Sequence, residues 1–485
     1  MGVWSGLEPA GVWNYFEELC GIPRGSYHEK AVSDYCVAFA RRHGLEVHQD
    51  QAWNVVIVKE ASPGYEAEET VILQGHLDMV CEKEPDCGID FEKDGLRPAR
   101  KGEYVFAEGT TLGGDDGIAV AYALAILEDD RIPHPRLEAV FTTCEEVGME
   151  GAWALDPSLL KGRTLINLDS EEEGILLAGC AGGCRAEIRL PVERERRAGA
   201  GALVRVGGLQ GGHSGTEIGK GRGNASVLLG KLLAALAEEE LCVLTGLQGG
   251  RKDNVIPQEA EARILVEEPA QEKLARIREL CGEYAMVLRG AYARTDPQVT
   301  VRMEETGYEE AWAIPEESAR IFAALLEELP CGVTAMSGEI PGLVQTSLNL
   351  GSMRAEDERI TLRYSVRSSV EAEKEALADR LVKTAERFGA EASVDGSYPA
   401  WEYRKESPLR SRTMAVYEEL FGRPMEVQVI HAGLECGILS AKLPGLDCVS
   451  IGPDILDIHT TKERMSVPSV ERTWRFLLAV LARKC

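Results

Sequence analysis

The order of apolar runs predicts an α/β fold: a discontinuous domain on a helix-covered mixed sheet, interrupted by an inserted α+β domain. Three observations predict it. Short β-type apolar runs alternate with helical stretches over the first 180 residues. Near Cys180–Arg185 the character changes to strands with charged turns, interleaved with helices. From "SYPAWEY" onward the first character returns.

Each element follows from its pattern. The opening "MGVWSGLEPAGVWNYFEELCGIPRG" has no basic start and no unbroken apolar stretch, so it reads as an amphipathic helix and not a secretory signal. "EETVILQG" is a strand, "DDGIAVAYALAILEDD" a helix, and "PRLEAVFTT" and "GRTLINLDS" are further strands. In the insert, "CRAEIRLPVERERRAGAGALVRVGGL" alternates as strands and "NASVLLGKLLAALAEEE" is a helix. "RKDNVIPQEAEARILVEE" is strand-like, "AQEKLARIRELCGEYAMVLRG" is a second helix, and a strand group with another helix runs to about Val394. "MEVQVIHAG", "LDCVSIGPD" and the helix "SVERTWRFLLAVLARKC" complete the first domain. The expected boundaries are 1–184 and 396–485 for the discontinuous domain, with 185–395 inserted.

Composition narrows the function. A chain of 485 residues is long enough for two or three cores. The net charge of -27 argues against a nucleic-acid partner, whose phosphates need a basic surface. No apolar run approaches the roughly 18–20 residues of a membrane helix, so no membrane partner is expected. Thirteen cysteines, an odd and scattered set without a secretory signal, fit a reducing cytoplasm. Cys180 and Cys184 lack a second pair for a four-cysteine zinc site and read as small core residues.

Chemistry gathers where apolar strands end. In "VILQGHLDMV", His76 and Asp78 stand two apart, on one face of an extended chain, where a carboxylate can orient an imidazole. "TLGGDDGIAVA" places Asp115 and Asp116 before a helix, a pattern that helix capping also explains. "VFTTCEEVG" places Glu145 and Glu146 just past a strand, and "TLINLDSEEEG" does the same with Asp169. Glu171, Glu172 and Glu173 read as a solvated charge run. "CVSIGPDILDIHTT" places His459 beyond a late strand. Each motif alone fits a solvated turn, but together they put acids and imidazoles at one set of strand ends. Carboxylate and imidazole donors suit zinc, manganese or cobalt. Five ligands exceed one tetrahedral site but suit two ions sharing a carboxylate, with the remaining acid of the Glu pair as general base.

These motifs resemble the M20 family of di-metal peptidases. "GHLDMVCEK", "TLGGDDGIAVA", "EEVGMEGA", "LINLDSEEEG", "GCAGG", "GGHSGTEIGKGRGNA", "HAGLECG" and "SIGPDILDIH" occur in family order across nearly the whole chain. The resemblance implies a catalytic domain, 1–184 and 396–485, and an inserted lid domain, 185–395. It implies two divalent ions, Zn2+ first and Mn2+ or Co2+ as alternatives. His76 and Asp169 would hold one, Glu146 and His459 the other, with Asp115 bridging. Asp78 would orient His76, and Glu145 would be the general base. The peptide bond after Asp115 is expected to be cis. In the lid, His213 would stabilise the oxyanion, and Asn254, Arg367 and Gly433 would bind substrate. Arg367 also fits a strand-edge salt bridge, and His431 and Glu435 are unassigned. Asp116 stands where close relatives often have Asn, and "TTKE" follows His459 where they often carry proline.

The implied activity is hydrolysis of dipeptides with a free C-terminal carboxylate, Xaa-His types among them, by a cytoplasmic homodimer. Aminotripeptidase, carboxypeptidase and N-acyl amino acid deacylase activities share the same chemistry. A non-catalytic binding protein would be favoured had Glu145 or a ligand been replaced, and none is.

Overall fold

The computed structural model describes residues 3–484. The chain forms two compact units. The first comprises residues up to Cys180, Tyr403–Val429, and the chain from Leu434; the second comprises Ala181–Glu402 and Ile430–Gly433. Residues 396–402 and 430–433, expected with the first part, thus lie in the second unit. Two long-range pairings put them there: Tyr398 pairs with Gly183, and the Ala181 N–H donates to the carbonyls of Ile430 and Ala432.

The first unit is a mixed α/β layer. Its strands are β1 (Glu46–Gln49), β2 (Val55–Lys59), β3 (Val71–His76), β4 (Leu137–Thr142), β5 (Thr164–Asn167), β6 (Ile175–Cys180), β7 (Glu426–Ile430) and β8 (Asp447–Ser450). Their order in the sheet is β1-β2-β4-β3-β5-β8-β6-β7. The middle strands β4, β3, β5 and β8 are parallel neighbours, so their carboxyl ends share one edge. Every residue of β2 to β5 is buried, which explains continuous apolar runs in place of alternation: helices cover both faces. The helix Gly114–Glu128 is buried along all but its last residue. It joins the helices Ala10–Cys20 and Val467–Ala482 in one core. A small four-stranded sheet pairs Ile455–Leu456 with Arg464–Ser466, and the latter with Tyr104–Ala107. It fixes a hairpin whose tip carries His459 and Glu463.

The second unit is antiparallel. Its nine-stranded sheet includes Gly182–Pro191, Glu195–Gly207, Val344–Ala355 and Arg359–Ser368. Along Gly182–Pro191, Cys184, Ala186, Ile188 and Leu190 enter the core, while Arg185 is exposed and Glu187 and Arg189 are half-buried. That alternation marks a sheet with one covered face. The helices Ala225–Glu238, Ala270–Ala291, Glu316–Glu328 and Glu371–Arg387 supply the covering side chains.

Candidate metal centre and a second polar cluster

The carboxyl edge of the parallel strands carries the acids and imidazoles. His76 closes β3 and is 1% exposed. Its Nε2 lies 3.0 Å from Asp115 Oδ1 and 3.5 Å from Asp169 Oδ1. Its Nδ1 lies 3.3 Å from Asp78 Oδ1, the neighbour that the i, i+2 spacing predicts. Asp115 reaches both ways: its Oδ2 is 3.1 Å from His459 Nε2, which also lies 3.0 Å from Glu146 Oε2. One carboxylate therefore has an imidazole at each oxygen.

Backbone bonds hold this geometry. Asp78 accepts the N–H groups of Glu145 and Glu146 at 3.0 and 3.2 Å, and the Ser26 hydroxyl at 2.8 Å. It thereby orients the imidazole and the Glu145–Glu146 turn together. Asp115 and Asp116 have non-helical backbone angles and are joined by a cis peptide bond. Asp116 Oδ2 accepts the His76 N–H at 3.1 Å. Glu463, the acid of "TTKE", accepts the N–H groups of Leu112, Gly113, Gly114 and Asp115. Nothing in the local sequence signals Glu463, because its partners are about 350 residues away.

The electrostatics call for cations. Burial pushes the Glu145 carboxyl well above its usual range, with Asp169 and Glu146 adding to it against His76. Burial raises Asp169 to about 6. Hydrogen bonds donated to Asp115 and Glu146 raise His459 to about 11. Burial would lower His76, but Asp169 and Asp115 hold it well above the ordinary imidazole value. Among the described residues, three overlapping trios have ligand atoms within 4.8 Å of one another: His76–Asp116–Asp169, His76–Glu145–Glu146 and Asp115–Glu146–His459. Asp116, without a role in the expected set, is in the first trio. Two imidazoles among clustered carboxylates are a donor set suited to zinc, manganese or cobalt. The residues present fit a pair of divalent ions.

The expected charge run is not solvated. Burial raises Glu171 to about 8, beside Asp115 and Asp169. Glu173 is 5% exposed and accepts from Arg472 and Arg423. Only Glu172 is exposed. The spacing of Glu171 from Asp169 is the same as that of Asp78 from His76, and was the available signal. Glu435 is also buried, and it accepts from the Gln74 amide and the Thr142 hydroxyl at 2.6 Å each.

In the second unit a separate cluster surrounds Gly215. A Cβ there would meet the His431 carbonyl, His213 Cε1 at 3.0 Å and Arg367 Nε at 3.2 Å. His213 Nδ1 accepts N–H groups from Gly215 and Thr216 at 3.3 and 3.2 Å, so its proton sits on Nε2. Burial and Arg367 lower its basicity. Arg367 Nη1 donates to the Tyr398 hydroxyl at 2.8 Å, not to a carboxylate, and its buried Nε has no hydrogen-bond partner among the described residues. His431 Nε2 lies 2.7 Å from Ser347 Oγ, and burial lowers its pKa to about 4. Asn254 is exposed; its carbonyl accepts the Ser214 N–H at 2.9 Å. Gly433 is half-buried, two residues past His431.

A family model described as "Peptidase family M20/M25/M40" matches residues 72–483. The chain is 38% identical over 479 residues to a protein named cytosol non-specific dipeptidase of Escherichia coli (strain K12), covering 98% of each chain. It superposes on a crystal structure of aminoacylhistidine dipeptidase from Vibrio alginolyticus with a TM-score of 0.92 and 37% identity, over 100% of this chain and 98% of that one. An aminopeptidase PepT from Bacillus cereus shares the fold at a TM-score of 0.55 and 16% identity, over 98% of each chain.

Proposed function

This chain belongs to peptidase family M20/M25/M40, and we propose that it is a metal-dependent dipeptidase acting on dipeptides with a free C-terminal carboxylate, Xaa-His types among them. The observation that carries the reading is Asp115, with one oxygen on His76 and the other on His459 at the carboxyl edge of a parallel sheet. That is the arrangement a bridging carboxylate needs. The full-length relatives, one named a dipeptidase and the other an aminoacylhistidine dipeptidase, supply the substrate class.

His76 and Asp169 would hold one ion, Glu146 and His459 the other, with Asp115 between them. Zinc is the first choice, manganese or cobalt the alternatives. When bound, the ions supply an acidified water and a polarised carbonyl. Asp78 holds the His76 tautomer through Nδ1. Glu145, whose buried carboxyl has raised proton affinity, takes the proton of the attacking water and returns it to the leaving amine. The second unit acts as the lid and recognises substrate. His213, with its proton on Nε2, donates to the developing oxyanion. The Arg367 fork binds the C-terminal carboxylate, and Asn254 and Gly433 offer further contacts.

A cytoplasmic location is supported by the relative named a cytosol dipeptidase; no described helix is long and apolar enough to cross a membrane. A homodimer is supported by the edge strand Thr300–Ala313, which leaves Tyr308 80% exposed.

The test is hydrolysis of Xaa-His and other dipeptides, a tripeptide and an N-acyl amino acid, with chelator and with added Zn2+, Mn2+ or Co2+. Dipeptide cleavage that chelation abolishes and metal restores supports the reading. Preference for the tripeptide or the acyl amino acid moves the protein to a sister activity. Metal binding without cleavage leaves a binding protein.

A further inference from the structure

Arg24 is 2% exposed, in the loop that follows the helix Ala10–Cys20. All its hydrogen bonds go to backbone carbonyls. Nη1 donates to Leu77 O and Asp78 O at 3.0 Å each, and Nη2 donates to Gly113 O. Leu77 and Asp78 directly follow His76, and Gly113 lies two residues before Asp115. One guanidinium thus ties together the two backbone segments whose imidazole and carboxylate meet at 3.0 Å.

The surroundings are shaped to admit it. A Cβ on Gly113 would lie 2.5 Å from Arg24 Nη2, and one on Gly117 would lie 2.6 Å from the same atom. Gly113 also has φ +64°, in the left-handed region. Two glycines of "TLGGDDG" therefore clear the space that the guanidinium fills. The same loop also braces the Glu145 segment: Glu29 Oε1 accepts the Cys144 N–H at 2.9 Å, and Ser26 bonds Asp78, which accepts the Glu145 and Glu146 N–H groups.

Burying a charge without an ion-pair partner is costly. A rigid planar fork recovers some of that cost through charge-assisted bonds whose directions are fixed. We propose that Arg24 is a positioning residue: its fork sets the distance and orientation of His76 and Asp78 relative to Asp115, and so the geometry of the metal pair. This inference rests on the di-metal reading.

The experiment uses full-length protein freed of metal and titrated with Co2+, with affinity and stoichiometry read calorimetrically, the visible absorption recorded, and kcat and KM measured. Arg24→Lys keeps the charge but not the fork. Gly117→Ala keeps Arg24 and pushes on it from the helix, with its closest approach at Arg24 Nη2, 2.6 Å away, and the Phe16 ring next at 3.2 Å. Both should bind Co2+ about 10–100-fold more weakly, the scale of lost outer support, with altered absorption. Both should lower kcat about 10²-fold, as a misplacement near 1 Å does, with KM within threefold. If folded Arg24→Lys and Gly117→Ala keep wild-type Co2+ affinity, absorption and kcat, the proposal is overturned. Should Arg24→Lys not fold, Gly117→Ala decides alone. If wild-type protein does not bind two Co2+, the di-metal reading fails instead.

Discussion

The two polar clusters are built on opposite electrostatic plans. In the first unit, carboxylates crowd around His76 and His459 and raise both imidazoles. In the second, His213 and His431 share a buried place with Arg367, and both are lowered. One cluster stores negative charge and is complete only with cations. The other keeps its imidazoles neutral beside a guanidinium with an unpartnered Nε, and so offers donors to an anion. Their supports differ too. The first stands on the ends of parallel strands, braced by backbone N–H groups. The second stands on a glycine-rich loop and antiparallel strands. The same residue type, histidine, is raised in one place and lowered in the other because of its neighbours.

The largest effect should separate the plans cleanly. Asp115→Asn removes the charge shared by both imidazoles. Metal content should fall below two ions per chain by elemental analysis, and activity should fall by at least about 10³-fold, as when a metal-activated water is lost. Glu145→Gln should cost about 10²–10⁴-fold in kcat, the range of a general base, with metal content still at two. Retained activity in Glu145→Gln would remove it from the proton path.

A smaller effect belongs to the second cluster. Arg367→Lys keeps a charge but loses the fork. A charge-assisted bond contributes about 1.5–3 kcal/mol, so KM for dipeptides should rise about 10–100-fold. Metal content should be unchanged and kcat altered much less. If metal content fell with KM, the two clusters would not be separable as described. An unchanged KM would take Arg367 out of carboxylate binding.

How legible each cluster was follows from the same physics. His76, Glu145, Glu146 and Asp169 were legible because each closes an apolar strand or stands within a few residues of its end, and His459 because a late strand precedes it. Chemistry at the carboxyl ends of parallel strands leaves a linear pattern. Arg24 and Glu463 were not legible, because they bond to distant backbone, which has no residue identity to read. Glu173 looked solvated because Arg472 and Arg423, which neutralise it, come 299 and 250 residues later. In the second unit Arg367 and His213 were reached through resemblance alone: a strand arginine and a loop histidine carry no local sign of their surroundings.

The smallest predicted effect is a sign difference in stability against pH. His431 has its folded pKa lowered from 6.5 to about 4. In that interval the unfolded chain binds the proton and the folded chain does not. Its contribution to stability is therefore present above pH 6.5 and lost as pH falls toward 4. Between pH 7 and pH 5.5 the loss is about 1 kcal/mol. In metal-free protein, His459 behaves in the opposite sense. Its folded pKa is raised to about 11, so its contribution is complete below pH 6.5 and lost as pH rises through 11. Urea unfolding of metal-free wild type and His431→Asn at pH 7 and 5.5 isolates the first term by difference. The variant should lose about 1 kcal/mol less than wild type on acidification. Equal losses would mean that His431 is protonated in the folded protein, and that the second cluster does not keep its imidazoles neutral.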